Sequence, residues 1–321
     1  MHIVRNCIIA LALIVATLAP ARAETYPSRP VKFIVSFAAG GANDIVARVI
    51  CDALSDRLGQ PFVVENRSGF GGNIGAQFVV NSAPDGYTIM FVGPNNAISA
   101  SVYRKLPFDF LRDTTPVGGI MRLTNIMVVS PSLPVHTIEE FIAYAKANPG
   151  KLNMASPGAG TSPHMSGELF QLLAGITMQH VPYRGAAPAY PDLISGKVDL
   201  MFDNLPGSVG FVQSGKLRAL GVTTAQRNFV FPEVPAIGEV LPGYEASVFY
   251  GVSAPRGTPP EIVAILNRAL NDALADPRIK ARIAELGGVP MPLTSAEFGK
   301  LVADETVKWE QVVAKIGLAI N

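Results

Sequence analysis

The stretch Val31-Lys32-Phe33-Ile34-Val35-Ser36-Phe37-Ala38-Ala39-Gly40-Gly41-Ala42-Asn43-Asp44 decides the fold. Residues 31–37 are an apolar run that predicts a strand. The small residues after it are a turn. From residue 43 to residue 58 the positions of Val46, Val49, Ile50, Ala53 and Leu54 share one helical face, and Gly59 stops the helix. Strand, glycine turn and helix open a βαβ unit. Residues 62–65 supply a second strand, a glycine-rich turn over 68–72 leads into a short helix near 74–81, and Pro84-Asp85-Gly86 turns the chain into a strand over 87–92. This rhythm predicts a mostly parallel sheet with helices on both faces.

The rhythm returns further along. Residues 126–129, 152–155, 198–202 and 217–222 read as strands. Thr137-Ile138-Glu139-Glu140 is a capping box that starts a helix to Asn148. Gly158-Ala159-Gly160-Thr161-Ser162-Pro163-His164 opens a helix whose Met165, Leu169, Leu172 and Leu173 share a face, ending at Gly175. Residues 247–253 are another strand candidate. The C-terminal part is helical, with boxes at Thr258-Pro259-Pro260-Glu261 and Thr294-Ser295-Ala296-Glu297 and a last helix running through Trp309, read as core. We therefore expect two α/β lobes. Residues 24–124 and 249–321 form the first and residues 125–248 the second, with crossings near 123–128 and 245–250. Two crossings make a hinge.

Residues 1–23 read as a cleavable export signal. Arg5 precedes an apolar run over residues 7–18, and Ala21-Arg22-Ala23 is a small-x-small cleavage pattern. The competing reading is a membrane anchor, but a spanning helix needs about 20 apolar residues. Beyond this leader only Cys51 remains, so an internal disulfide or a cysteine-based metal cage is ruled out. The formal net charge of +1 includes Arg5 and Arg22 of the leader. Near-neutrality argues against a nucleic-acid partner.

Enzyme templates are incomplete. G-x-S-x-G and H-E-x-x-H are missing, and His136, His164 and His180 are widely spaced, which argues against a metal site. The run from Gly69 to Gly75 does not match the dinucleotide fingerprint. No cofactor is expected. Ser162 and His164 lie two apart at a helix start, where capping suits them better than proton relay. An exported hydrolase using Ser162 and His164 stays open as an alternative.

The two loops around Gly40-Gly41 and Gly158–Ser162 carry the positive message. Each joins a strand to a helix N-terminus, where unpaired N–H groups and the helix dipole favour an anion. Either loop alone reads equally well as a capped turn. One in each lobe, beyond the carboxyl ends of strands, points to a cleft that grips a carboxylate-bearing solute. Asp203, at the end of the strand over 198–202, reads either as a ligand acceptor or as a helix cap. Arg184 reads as an anion partner or a surface residue.

The chain resembles the tripartite tricarboxylate transporter substrate-binding family, also called the Bug family of extracytoplasmic solute receptors. The resemblance is carried by Tyr26-Pro27-Ser28-Arg29-Pro30-Val31, Phe37-Ala38-Ala39-Gly40-Gly41-Ala42-Asn43-Asp44, Glu65-Asn66-Arg67-Ser68-Gly69 and Pro84-Asp85-Gly86-Tyr87-Thr88. It continues through His164-Met165-Ser166-Gly167-Glu168-Leu169-Phe170, Val181-Pro182-Tyr183-Arg184-Gly185, Gly215-Lys216-Leu217-Arg218-Ala219-Leu220 and Ala254-Pro255-Arg256-Gly257-Thr258-Pro259. It implies a two-lobed periplasmic-binding-protein fold of the two-crossing type (type II), a periplasmic location, and a small carboxylate ligand held by backbone amides and water. It implies delivery to the membrane subunits of a tripartite transporter, while service as a sensor for a membrane signalling partner stays open. Carried over, the contacts fall on Phe37, Ala39, Gly40, Gly41 and Asp44 of the first lobe, and on Gly160, Thr161, Ser162, His164 and Asp203 of the second. A monomer without catalytic activity is expected. The chain departs from the family at Phe249-Tyr250, where Trp is usual ahead of the return glycine, and at Ser36, where Pro is frequent.

Overall fold

A computed structural model describes residues 26–320. The expected leader, residues 1–23, lies outside the described residues.

The opening βαβ unit forms as expected. β1 (Val31–Val35) leads through residues 36–41 into α1 (Ala42–Leu58) and then β2 (Phe62–Asn66). Gly59 ends α1 in the left-handed conformation, with φ 69°. After β2 come α2 (Asn73–Val80), β3 (Thr88–Val92), α3 (Pro94–Val102) and the short α4 (Phe110–Asp113). β1 lies between β2 and β3, parallel to both.

The second lobe repeats this plan. α5 (Ile138–Ala147), β5 (Asn153–Ser156), α6 (Ser162–Ala174), β6 (Gln179–Pro182), α7 (Tyr190–Ile194), β7 (Leu200–Asn204), α8 (Leu205–Gln213) and β8 (Arg218–Val222) follow in order. β5 lies between β6 and β7, parallel to both. In each lobe the chain thus leaves its central strand first to one side and then to the other. That reversal creates a topological switch point, where a crevice opens beyond the carboxyl ends of the strands.

Two long strands join the halves. β4 (Thr114–Val129) pairs antiparallel with β9 (Ser247–Pro255) over residues 114–124, and with β7 over residues 125–129. β8 also lies antiparallel to the second half of β4, and β9 runs antiparallel to β3. α9 (Pro260–Ala275), α10 (Pro277–Glu285), β10 (Val289–Pro290) and α11 (Ser295–Ile316) then complete the first lobe. The sheet is therefore mixed. Its parallel runs are β2–β1–β3 and β6–β5–β7, and the strands connecting the lobes are antiparallel to their neighbours.

At the change of partner the two crossings are tied together. Thr223 donates its N–H to the Asn125 carbonyl at 3.0 Å and its hydroxyl to the Ala246 carbonyl at 2.6 Å. Its hydroxyl oxygen also accepts from the Asn125 N–H at 3.0 Å. Thr124, Asn125, Thr223 and Ala246 are all buried.

The front half of β4 was not predicted, because Pro116, Gly118 and Gly119 break the apolar pattern. The strand absorbs them with register shifts between Pro116 and Gly118 and between Gly119 and Met121. α3 was also missed. It is buried on nearly every side, so it carries no amphipathic stripe. The box at Thr294 forms in full, whereas at Thr137 the cap forms but Glu140 accepts the His136 N–H in place of the Thr137 N–H. The box expected at Thr258 does not form. Pro259 is the cap residue and has no N–H for Glu261 to accept, and Thr258 bonds the Pro255 carbonyl instead. Phe33, Ile50 and Leu54 centre one core, and Phe141, Phe170 and Phe202 the other. No helix of the described residues is long and apolar enough to cross a membrane.

Candidate ligand-binding site

The carboxyl ends of β1, β3, β5 and β7 converge between the lobes. They flank a narrow cavity with about 10 Å³ of free space, lined by Phe37, Asn43, Pro94, Asn95, Pro157, Thr161, Ser162, Pro163, Asn204 and Tyr250. Tyr250 comes from β9 and Asn204 ends β7, and the other eight residues follow β1, β3 and β5. The free space is room for about one water, far below the roughly 300–1,000 Å³ of drug-sized sites, so the lobes stand nearly shut over the site. A larger groove lined by Ile45, Pro206, Val209, Arg282 and Glu285 is open to solvent and lies on helix flanks outside this convergence.

Four helix N-termini face the cavity. Asn43, Asn95 and Ser162 sit in the first turns of α1, α3 and α6, and Asn204 is the N-cap of α8. α1 has no side-chain cap at Gly41, so its first N–H groups lack an internal partner. No lining residue is charged. An anion here meets dipoles and amide groups instead of a guanidinium or ammonium.

Behind the lining, side chains brace the loops. Asp44 accepts from the Gly40 N–H at 3.0 Å, from Asn66 at 3.0 Å and from Arg48 in a two-pronged pair at 2.9 and 3.0 Å. Burial pushes its carboxyl up, but the Arg48, Gly40 and Asn66 bonds outweigh that and hold it below the usual range. In the second lobe, Asn125 donates to Ser166 at 2.9 Å and accepts from Asn204, which also reaches Ser162 at 3.2 Å. This amide ladder fixes the start of α6.

His164 accepts the Gly160 N–H at its Nδ1 at 3.2 Å, so its Nε2 carries the proton and faces Glu168 at 3.4 Å. Its ring stacks on His180 at 3.8 Å. Both nitrogens of His164 are thus engaged away from Ser162, and no hydrogen bond joins Ser162 to His164 among the described residues. The proton relay that a hydrolase would need is not assembled. His180 instead bonds Ser156 at 2.6 Å, and Ser156 is fully buried under the loop.

The lobes meet on either side of the cavity. On one side the Ala38 N–H donates to the Arg184 carbonyl at 3.3 Å, and Gly40 and Gly41 face Ala187 and Ala186. On the other, Gly71 lies against Ala159, whose carbonyl accepts from the Tyr103 hydroxyl at 2.8 Å. Among the expected contacts, Phe37, Thr161 and Ser162 line the cavity. Ala39 and Gly40 are exposed on the rim. Gly41 faces the opposite lobe, Gly160 packs beside Tyr103, and Asp44 and His164 stand behind their loops. Asp203 is buried, accepting from Tyr190 at 2.7 Å and from Ser208. Arg184 is exposed. Asn95 and Asn204 are absent from the sequence-based site, and Tyr250 enters it only as a departure from the family pattern. Asn95 and Asn204 follow strands and open helices as the glycine loops do, but without glycines to mark them.

Residues 46–318 match the tripartite tricarboxylate transporter family receptor, TctC. The chain belongs to this receptor family. It is 37% identical over 306 residues to Protein BugT of Bordetella pertussis, covering 94% of each chain. Among solved structures, R. palustris Rpa4515 with adipate is 38% identical with a TM-score of 0.90, covering 92% of this chain and 100% of that one. MatC (Rpa3494) from Rhodopseudomonas palustris with bound malate is 33% identical with a TM-score of 0.86, covering 90% and 100%.

Half-buried His180 and buried Asp203 give this receptor a testable pH signature. Burial, with His164 alongside, pushes His180 from 6.5 down to about 3. The unfolded chain therefore binds the extra proton between those values, and His180 removes stability as pH falls below 6.5. Burial raises Asp203 from 3.8 to about 6, against its hydrogen bonds from Ser208 and Tyr190. The folded chain then holds the extra proton, so Asp203 adds stability as pH falls through 6. The two oppose each other between about pH 4 and 6. In His180→Gln the Asp203 effect stands alone, so the urea midpoint should rise from pH 6.5 to pH 5 relative to the parent chain. Parallel pH curves for the two proteins would remove His180 from this balance.

Proposed function

We propose that this protein is an exported receptor that captures a small carboxylate between its lobes and delivers it to the membrane subunits of a tripartite tricarboxylate-type transporter. The observation that carries the reading is the convergence of four helix N-termini on one uncharged, narrow cavity between the lobes. Such a site favours negative charge and selects against cations. Membership of the receptor family supports it, as do the adipate and malate in the two related structures. The lobes are taken as residues 24–124 with 249–321, and residues 125–248. The export signal is residues 1–23 and the location periplasmic. The protein acts as a monomer and without turnover of its ligand.

The mechanism is a population shift. The ligand touches both lobes only when the cleft is shut, so its binding energy favours the closed form. A thermal-shift screen of small carboxylates against their amide analogues tests this. A carboxylate at 100 times its dissociation constant should add about 2.7 kcal/mol and raise the melting temperature by a few degrees. The matching amide should have no effect. Equal stabilisation by acid and amide would refute charge recognition by the helix termini.

A further inference from the structure

Three buried side-chain polar atoms have no hydrogen-bond partner among the described residues: Ser36 Oγ, Tyr250 OH and Asn271 Oδ1. Ser36 packs against Gly75 and Asn271 lies on α9, and neither lines the cavity. Tyr250 alone of the three lines it. Its residue exposure is 0%. Its ring is fixed edge-on against Phe91, with centroids 4.7 Å apart, and rests beside Gly93. The hydroxyl therefore has little freedom to seek water elsewhere. A buried hydroxyl without a partner is costly, so a site that holds one is built for a ligand that completes it.

The surroundings narrow the partner. The helix N-termini around the cavity supply N–H groups for a carboxylate. At the Tyr250 end the field is different. The Asp203 carboxyl is near enough to act on both Tyr250 and Tyr190. A second carboxylate placed there would face it with like charge. A neutral oxygen meets the hydroxyl without that repulsion.

We propose that Tyr250 is a specificity-determining residue whose hydroxyl hydrogen-bonds a hydroxyl or oxo substituent on the bound acid. The protein thereby selects short oxygen-substituted carboxylates over their unsubstituted counterparts. This rests on the carboxylate reading above. An unsubstituted acid leaves the Tyr250 hydroxyl buried and unpaired, and sites of this kind reject the analogue that lacks the partner group.

The test is calorimetric titration of the parent protein and Tyr250→Phe with three matched pairs: lactate and propionate, malate and succinate, 2-hydroxyglutarate and glutarate. For at least one pair the parent should bind the hydroxy acid at least about tenfold tighter. In Tyr250→Phe that acid should weaken about tenfold, while its unsubstituted partner stays within about twofold, so the preference collapses. A parent that binds both members of every pair alike, or a variant that loses both equally or neither, overturns the role of Tyr250 and leaves carboxylate capture standing. A parent that binds none of the six overturns carboxylate capture and this inference with it. Thermal melting of the variant within a few degrees of the parent establishes that it is folded.

Discussion

Replacing Gly71 by alanine is expected to weaken ligand capture about a hundredfold while leaving the protein folded. Gly71 has φ +62°, in the left-handed region. A Cβ there would overlap the Ala159 carbonyl oxygen and lie 2.5 Å from the Tyr103 hydroxyl. Tyr103 can swing aside, although it then loses its bond to Ala159. The Ala159 carbonyl belongs to the opposite lobe, so opening the cleft relieves that clash. The left-handed strain of roughly 1–2 kcal/mol burdens open and closed forms alike. The overpacking, about 1–3 kcal/mol, burdens the closed form alone. Ligand binds the closed form, so a penalty of about 3 kcal/mol there appears as about a hundredfold loss of affinity. Calorimetric titration with the best carboxylate from the screen measures it. Undiminished affinity in a folded variant would show that Gly71 and Ala159 do not meet in the bound state.

The largest effect on stability is expected at Trp309. It is 1% exposed and packs among Ile98, Val102, Tyr103, Met165, Ala246 and Val313. Its indole N–H donates to Glu305 at 3.1 Å. Trp309→Ala removes the ring and leaves the buried Glu305 without that donor, at a cost of about 3–5 kcal/mol. Met165 lies on α6 of the second lobe, so the cluster also steadies one lobe against the other. Trp309 is the sole tryptophan, so urea unfolding of this variant is followed by circular dichroism. A loss below about 1 kcal/mol would mean that the cluster closes over the gap.

What the sequence made legible follows from how each element is stabilised. α1 and α6 announce themselves because small residues precede an apolar face and a glycine ends it. β1, β3 and β5 are short apolar runs between turns, and these too were readable. The first half of β4 was not, since its prolines and glycines sit in bulges that exist only because β9 lies alongside. α3 was hidden by burial all round. At the site, the glycine loops were visible and the asparagines were not. A strand-end Asn95 or Asn204 is commonplace in sequence, and only the reversal of strand order brings all four strand ends to one cavity. The pair Phe249-Tyr250 stands out in the sequence as a departure from the family pattern. The unpaired hydroxyl of Tyr250 is a fact of packing that no sequence pattern carries.

The buried crossing through β4, tied by Thr223, has a further consequence. Proteases cut where backbone is exposed and free to adapt, which in jointed proteins is commonly the linker. Here the joint is interior strand: Thr124, Asn125 and Thr223 are each 0–1% exposed, and the backbone at Asn125 and Thr223 is hydrogen-bonded. At the β4 crossing the lobes can swing by bending a ladder while presenting no exposed segment to an enzyme's cleft, which leaves exposed Glu245, beside the second crossing, as the site where cutting is expected. At this first crossing, mobility and resistance to digestion, usually traded against each other, are combined by placing the pivot where only neighbouring strands can reach it.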